Sequence, residues 1–563
     1  MAETIVETKA CKHCWAPFTI TDKDLEFYDK ISPVFWWKKY SIPSPTFCPD
    51  CRQQRRLSFR NERKLYKRNC DASGKQIISV YSPDKPYKVY EKKEWFADGR
   101  DPLSYGRDFD FSKMFFQQYE ELIHEVPRMS LVWQDRENSD YVNQCIGVKN
   151  CYLVFRSTNS EDCLYGREIF NSQDIVDGLD TIDCSNSYYL VSARNVTNSN
   201  FIINSNNLSN CAYMFDCHDC SDCRYCYNLY NKQYHILNKQ YSKEEYFEKI
   251  QELPHMTFQE FYNTYVSEYI VKNINIIQSP WCKGNDIEYS SESEGYTLRE
   301  CDHCKFCYDL KKTQDTYDSC FSWGNRSLDY ECVATGKDGT KLTFSYNTTA
   351  ASNSFYLQEC FDNCQDCFWC VSLRNKQYCI FNKQYTQEEY ETLVPKIIEH
   401  MQKTWERWEF FPVEISQFGY NETLAQEYFP LSREEALAKW YKRQDKEYSV
   451  NTPENSQIIK AQDIPQSIKW VTDDILNKVI LCEITWKPFR IIKPELEFYR
   501  KHNLPLPIKH PDQRHLERMQ VRTSRKLRDR KCAKCWADIK TTYSPERPEI
   551  VYCESCYTKE IYW

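Results

Sequence analysis

CYLVFRSTNSED (residues 151–162), CLYGREIFNSQD (163–174) and IVDGLDTIDCSN (175–186) are successive copies of one 12-residue pattern. The pattern continues through SYYLVSARNVTNS, one residue longer, NFIINSNNLSN, one shorter, and then CAYMFDCHDCSD (211–222) and CRYCYNLYNKQY (223–234). Each copy is a short apolar stretch followed by Asn, Asp or Ser. These residues compete with helical hydrogen bonding through their own side chains and favour turns, so the repeat reads as strand and turn in alternation. Strands at fixed spacing predict a right-handed parallel β-helix, a solenoid in which each coil buries its inward side chains against its neighbours. A coil of two copies, 24 residues, is the expectation, because it can hold inward Phe, Tyr and Leu; a one-copy coil would be very thin.

A second repeat stretch runs from about residue 289 to 385, and its last copies, FYLQECFDNCQD and CFWCVSLRNKQY, superpose on those starting at Cys211 and Cys223. NKQYCIFNKQY then echoes NKQYHILNKQY, so the centre is itself duplicated. Both stretches end in a capping-box pattern, Ser242-Lys-Glu-Glu245 and Thr386-Gln-Glu-Glu389, and Ser432-Arg-Glu-Glu435 opens a later helix. Helices placed there would cover solenoid ends that otherwise expose unpaired strand.

Further out, both chain ends carry one module of roughly 80 residues. PFTITDKDLEFYDK and YSPDKPYKVY in the first copy answer PFRIIKPELEFYRK and YSPERPEIVY in the second. Superposition pairs Cys11 with Cys482, Cys14 with Thr485, Cys48 with His510, Cys51 with Gln513 and Cys70 with Cys532. The first copy keeps Cys11, Cys14, Cys48 and Cys51; the second keeps Cys532, Cys535, Cys553 and Cys556, where the first has Cys70, Ser73, Glu91 and Glu94. An ancestral module with two metal sites, duplicated and thinned in complementary ways, accounts for the pattern. Two Cys-x2-Cys pairs on tight knuckles supply a closed tetrahedral zinc set, so two structural zinc ions are expected. Four protein ligands leave no position for a catalytic water.

The expected organisation is multidomain and mainly β. It comprises an N-terminal zinc-ribbon-like module (1–100), a helical connector (101–135), solenoid (136–241), a helical insertion or cap (242–284) and more solenoid (285–385). A helical region and linker (386–478) and a C-terminal zinc module (479–563) complete it. Length alone suggests about three or four domains.

Thirty cysteines in a long chain that begins MAETIVETKACKHC, with no apolar leader, point to a reducing cytoplasm and metal rather than disulfides. No run of about 18 apolar residues suggests a membrane span. Only 12 glycines occur, without a GxGxxG or GxxxxGK[ST], which disfavours nucleotide-binding loops. Three further clusters, Cys220, Cys223 and Cys226 (extended by Cys217), Cys301, Cys304 and Cys307, and Cys364, Cys367 and Cys370, have two readings. They are extra metal sites, or a ladder of small buried thiols stacked inside the solenoid, which is preferred. An iron–sulfur cluster is disfavoured, since the Cys-x3-Cys-Pro continuation is absent.

The net charge of −7 conceals two basic runs, residues 52–68 and 509–534. Arg52, Arg55, Arg56, Arg60 and Arg63 follow one ligand pair; Arg514, Arg518, Arg522 and Lys526 fall four apart, one stripe on a helix. Beside zinc knuckles such stripes suit phosphate contact, so nucleic acid, RNA or a ribonucleoprotein, is the expected partner. The competing reading is a face paired with acidic groups. No HExxH or GxSxG is present. Asp174, Asp177, Asp180 and Asp183 lie in one block, and a carboxyl pair on a solenoid face could serve a carbohydrate-active enzyme; Asp is equally the turn residue expected there.

CPDCRQQRRL (48–57) and KCAKC with YCESCY (within 531–557) resemble a family of cysteine-rich bacterial zinc-ribbon and β-solenoid proteins with no assigned activity. The resemblance spans the chain and implies zinc binding. The leading expectation is a non-enzymatic cytoplasmic zinc protein that presents its modules to nucleic acid. The alternatives are a protein-interaction scaffold and a β-helix carbohydrate-active enzyme. Oligomeric state is left open.

Overall fold

The computed structural model describes residues 3–253, 277–278, 294–406, 408–446, 457–522, 528–547 and 549–561. Most of the expected insertion at 242–284, and Lys526, lie outside the described residues. The chain divides into two compact units, Met1–Leu131 with Asp286–Asp445, and Val132–Asn285 with Lys446–Trp563. Each unit thus joins a terminal module to the solenoid stretch more distant from it in sequence. No helix among the described residues is long and apolar enough to cross a membrane.

The centre is a parallel β-solenoid, but its coil is the narrow one. Parallel partners lie 12 residues apart, as in Ile175↔Ser187, Tyr188↔Asn200, Asn200↔Ala212 and Ala212↔Arg224. In the second stretch the offset is 12 at Tyr308↔Cys320 and 13 at Cys320↔Val333 and Val333↔Tyr346. The expected 24-residue coil is corrected by the backbone itself: a left-handed residue recurs every third position, for example Asp174, Asp177, Asp180, Asp183, Asn186 and Tyr189. Each such residue turns the chain, so a coil is four sides of three residues rather than two long strands.

This geometry decides the composition. One residue per side, directly after each left-handed corner, points inward: Cys184, Ser187, Leu190, Ala193, Val196, Ser199, Ile202, Ser205 and Leu208 are all buried. So narrow a tube takes mainly Cys, Ser, Ala, Val, Ile and Leu; the large aromatics lie outside it and pack against the modules. Asn and Asp at the corners tolerate the left-handed region best and bond along the stack, Asn186 to Asn198 (3.1 Å), Asn198 to Asn210 (2.7 Å) and Asn210 to Asp222 (3.3 Å).

The capping-box helices form as the sequence suggests, at Lys243–Lys249, Gln387–Lys403 and Arg433–Ala438. The first two pack at solenoid ends, through Tyr246 on Tyr234 and Tyr390 on Tyr378, both 5.7 Å between ring centres. The stretch after residue 456 is not a linker. Strand Gln457–Lys460 pairs with Lys478–Leu481, and Ile464, Ile468, Val471 and Ile475 are buried in the core of the second unit.

Each module contains two copies of one small device. A hairpin closes on a knuckle in which the fifth residue donates its N–H to the carbonyl of the first: Trp15 to Cys11 (2.9 Å), Gly74 to Cys70 (2.8 Å), Trp486 to Cys482 (3.0 Å) and Trp536 to Cys532 (2.9 Å). A helix follows. Its start is Cys48 before Pro49–Leu57, Glu91 before Lys92–Trp95, His510 before Pro511–Val521 and Cys553 before Glu554–Ile561. The second ligand pair therefore sits on a helix N-terminus, not on a second knuckle hairpin as a zinc ribbon would have it. The reason is local: Cys48-Pro49-Asp50-Cys51 places Pro at the first helical position, where its missing N–H costs nothing.

Candidate metal centres and the arginine helices

Two four-cysteine groups assemble, Cys11, Cys14, Cys48 and Cys51, and Cys532, Cys535, Cys553 and Cys556, with the sulfurs of each within 4.8 Å of one another. A tetrahedral zinc with Zn–S near 2.3 Å needs sulfur edges of about 3.8 Å; Cys14–Cys48 and Cys535–Cys553 are each 3.6 Å. The donor set fits zinc. Backbone amides prepare the thiolates. The Cys11 Sγ accepts from the Cys48 N–H (3.2 Å) and the Cys532 Sγ from those of Cys553 (3.1 Å) and Cys535 (3.4 Å). The Cys51 thiol, together with its backbone N–H, draws the Cys48 pKa down to about 5. Burial opposes ionisation of Cys532, but the amides of Cys535 and Cys553 win and lower it to about 6. The Cys51 and Cys556 thiols are pushed the other way, Cys51 chiefly by its contact with Cys48 and Cys556 by its contact with Cys553, so a thiophilic dication binding either group would displace protons from them.

The other two devices keep the cradle and have lost the ligands. The Glu91 N–H still donates to the Cys70 Sγ (3.3 Å), and the Thr485 N–H to the Cys482 Sγ (3.5 Å). The His510 ring, where a third ligand would stand, accepts instead from the Asp512 N–H through Nδ1 (3.0 Å) and caps its helix. Four equivalent devices, two with full cysteine sets, match the duplication and complementary thinning read from the sequence.

The central cysteines occupy inward positions of the tube. Cys220 donates its thiol to the carbonyls of His218 (3.2 Å) and Leu229 (3.5 Å), and Cys370 to those of Phe368 (3.5 Å) and Cys379 (3.4 Å). Ser and Thr at equivalent positions make the same back-bond, as in Ser205 to Ile203 (2.7 Å). Burial pushes the thiols of Cys217 and Cys367 upward, and the Cys223 contact does so first at Cys220. In Cys304 the contact with Cys301 is the leading influence and lowers the thiol, but Cys307 and burial together carry it upward. Among the described residues, Cys217, Cys220, Cys223 and Cys226, Cys301, Cys304 and Cys307, and Cys364, Cys367 and Cys370 do not gather as the two terminal groups do. They form the ladder.

The basic runs lie against the solenoid. In the first unit Arg52 pairs with Asp318 (2.8 Å), Arg55 with Glu331 (2.9 Å) and Glu409 (3.1 Å), and Arg56 lies 3.6 Å from both Asp318 and Glu331. Arg60, beyond the end of the helix, pairs with Glu62 (2.5 Å) and stacks over Phe321; Arg63 is half-buried. In the second unit Arg514 and Arg518 share Asp177 (2.8 and 2.9 Å), and Arg522 pairs with Asp180 (3.2 Å). Counted from Cys48 and His510, Arg52, Arg56 and Arg60 are the equivalents of Arg514, Arg518 and Arg522. Asp318 and Asp177 are left-handed corner residues with no exposed side chain. Burial acts to discharge Arg52 and Arg514, but Asp318 and Asp177 keep both guanidinium groups firmly charged.

The expectation that Arg52, Arg55, Arg56, Arg514, Arg518 and Arg522 face phosphate therefore meets a physical obstacle: these groups are buried and ion-paired inside their own units. The aspartate row has the complementary fate, since Asp174 meets Lys501 (3.2 Å) while Asp177 and Asp180 hold the arginines. Asp183 stays exposed, so three of the four carboxylates of the row are engaged by cations.

No family model matches the chain, and no curated protein matches it. Among solved structures, a protein named as an acetyltransferase from Desulfovibrio desulfuricans G20 aligns at 8% identity over 49% of this chain and 81% of its own, with a TM-score of 0.10. That likeness carries no argument about fold or activity.

Sequence reasoning missed the carboxylate partners Asp318, Glu331 and Glu409. The signal for Asp318 and Glu331 was the period of three in the solenoid, matched against arginines four apart on a helix; Glu409 lies after the solenoid and left none. It also passed over the residue after each ligand knuckle, Trp15 and Trp536, and its counterpart Trp486.

Proposed function

We propose that this is a non-enzymatic zinc protein, a β-solenoid scaffold whose terminal modules each hold one structural zinc and whose ligand is nucleic acid, RNA or a ribonucleoprotein. The observation that carries the zinc half is the gathering of four cysteine sulfurs within 4.8 Å in each module. A closed set of four thiolates stabilises a fold and leaves no site for water, which supports binding rather than hydrolysis. The nucleic-acid half does not rest on the arginine helices, because their charge is spent within the protein. It rests on tryptophans that the modules and two helix ends present to solvent.

A scaffold for protein partners is the second reading, favoured by the net charge of −7, which repels polyanions at long range. Retention of the full chain on immobilised RNA at increasing salt separates the two. Nucleic-acid binding predicts affinity that falls steeply and log-linearly with salt; no retention at low salt would leave the protein-scaffold reading standing.

A further inference from the structure

Five tryptophans stand where a helix or knuckle must turn through the left-handed region. Trp15, Trp486 and Trp536 follow their knuckles with φ of 63°, 58° and 62°, and Trp405 and Trp440 follow helices with φ of 61° and 65°. The last two are helix-terminating positions in which the next N–H reaches back, Glu406 to Met401 (2.9 Å) and Tyr441 to Ala436 (3.0 Å). Glycine is the usual occupant of such positions, since a β-carbon there costs about 1–2 kcal/mol. The protein supplies its own control: the fourth knuckle makes the same turn with Gly74 at φ 70°, where an added β-carbon would meet nothing within 4 Å.

Burial does not compensate. Trp15, Trp405, Trp440, Trp486 and Trp536 are 78%, 85%, 75%, 63% and 73% exposed. A large ring held out in solvent on a strained residue contributes nothing visible to the fold, and strain of this kind points to function. Each tryptophan also has a lysine within three residues in the chain: Lys12, Lys403, Lys439, Lys487 and Lys534. Lys534 is engaged by Glu560, while Lys12, Lys403, Lys439 and Lys487 form no ion pair with the described residues. In the first unit two of the sites adjoin. His13, between Lys12 and Cys14, lies 6.5 Å ring to ring from Tyr441, the neighbour of Trp440.

We infer that these tryptophan–lysine tips bind single-stranded nucleic acid, the rings stacking on unpaired bases and the lysines meeting phosphate. The inference rests on the nucleic-acid reading above and names its site. Every base offers a π-face, so such stacking is tolerant of sequence; a duplex hides those faces. A neutral glycan would also accept the rings, but gives no role to the lysines that recur within three residues of them.

The test uses the full zinc-loaded chain, a fluorescein-labelled 20-mer of uridine and an RNA hairpin duplex, read by anisotropy and by quenching of tryptophan fluorescence. Trp15→Gly with Trp440→Gly is the informative variant, because glycine suits both turns and the fold is kept; Trp15→Phe with Trp440→Phe keeps the stacking face. The expected result is preference for the 20-mer with quenching, weakened about fivefold or more by the glycine pair and largely kept by the phenylalanine pair. Wild-type binding that the glycine pair leaves unchanged, or equal binding of the duplex, overturns the stacking site and spares the broader reading. No binding of either RNA at low salt overturns both.

Discussion

The two arginine helices make the same contact and are held in place differently. Pro49–Leu57 and Pro511–Val521 each lay arginines on a buried corner aspartate, Asp318 in one unit and Asp177 in the other. In the first unit Cys48 and Cys51 of the four-cysteine group belong to the start and first turn of the docked helix. In the second the four-cysteine group belongs to the following device, and the docked helix begins at a histidine that caps rather than ligates. The cysteine group and the ion pair are thus separable: both copies have the clamp, while only one has a four-cysteine group adjoining it. The clamp is the feature common to both units.

The largest effect should come from removing a corner carboxylate. Asp177→Ala strands Arg518 and leaves Arg514 with the carboxylate of Glu495 alone, and Asp318→Ala strands Arg52 and leaves Arg56 with that of Glu331 alone; each should cost about 3–5 kcal/mol, read from the urea midpoint. A cost below about 1 kcal/mol in either unit would show that its helix is not clamped. Next come the ligands. Cys51→Ser and Cys556→Ser should each reduce the bound zinc from two to one by native mass spectrometry, and simultaneous loss of both ions would break the claim of independent sites.

The ladder gives a smaller contrast. Cys220→Ser keeps the back-bond that Ser205 already makes and should stay within about 1 kcal/mol with the zinc count unchanged, whereas Cys220→Leu should overpack the tube at about 1–3 kcal/mol. A fall in bound metal on Cys220→Ser would make ligands of these thiols after all. Smallest of all, Trp536→Gly should leave stability unchanged or raise it by up to about 1 kcal/mol, since glycine relieves the left-handed strain; a clear loss in thermal melting would assign that ring a structural task.

Much of this was legible in the chain. The 12-residue repeat announced a solenoid, and Cys-x2-Cys spacing picked out the eight cysteines that gather into two groups, because both signals are local. The coil width was misjudged because strands are ordinarily read with a period of two, and a side of three residues between left-handed corners breaks that habit. Cys217, Cys220, Cys223 and Cys226, like Asp174, Asp177, Asp180 and Asp183, already carried the period of three. The arginines misled for a different reason. A basic run on a helix reads as a solvated or phosphate-facing surface, and only the fold brings Asp318, Glu331 and Asp177 to it from hundreds of residues away. Pairing of distant buried charges leaves no local pattern.

Hydrogen–deuterium exchange of the full chain before and after zinc chelation tests the central claim most directly. The account predicts that the hairpin Ile5–Ala10 with Pro17–Thr21 and the start of Pro49–Leu57 lose protection, while Pro511–Val521 keeps it on Asp177. Equal loss in both helices would contradict it, by showing that metal, not the buried ion pairs, holds the arginine helices to the solenoid.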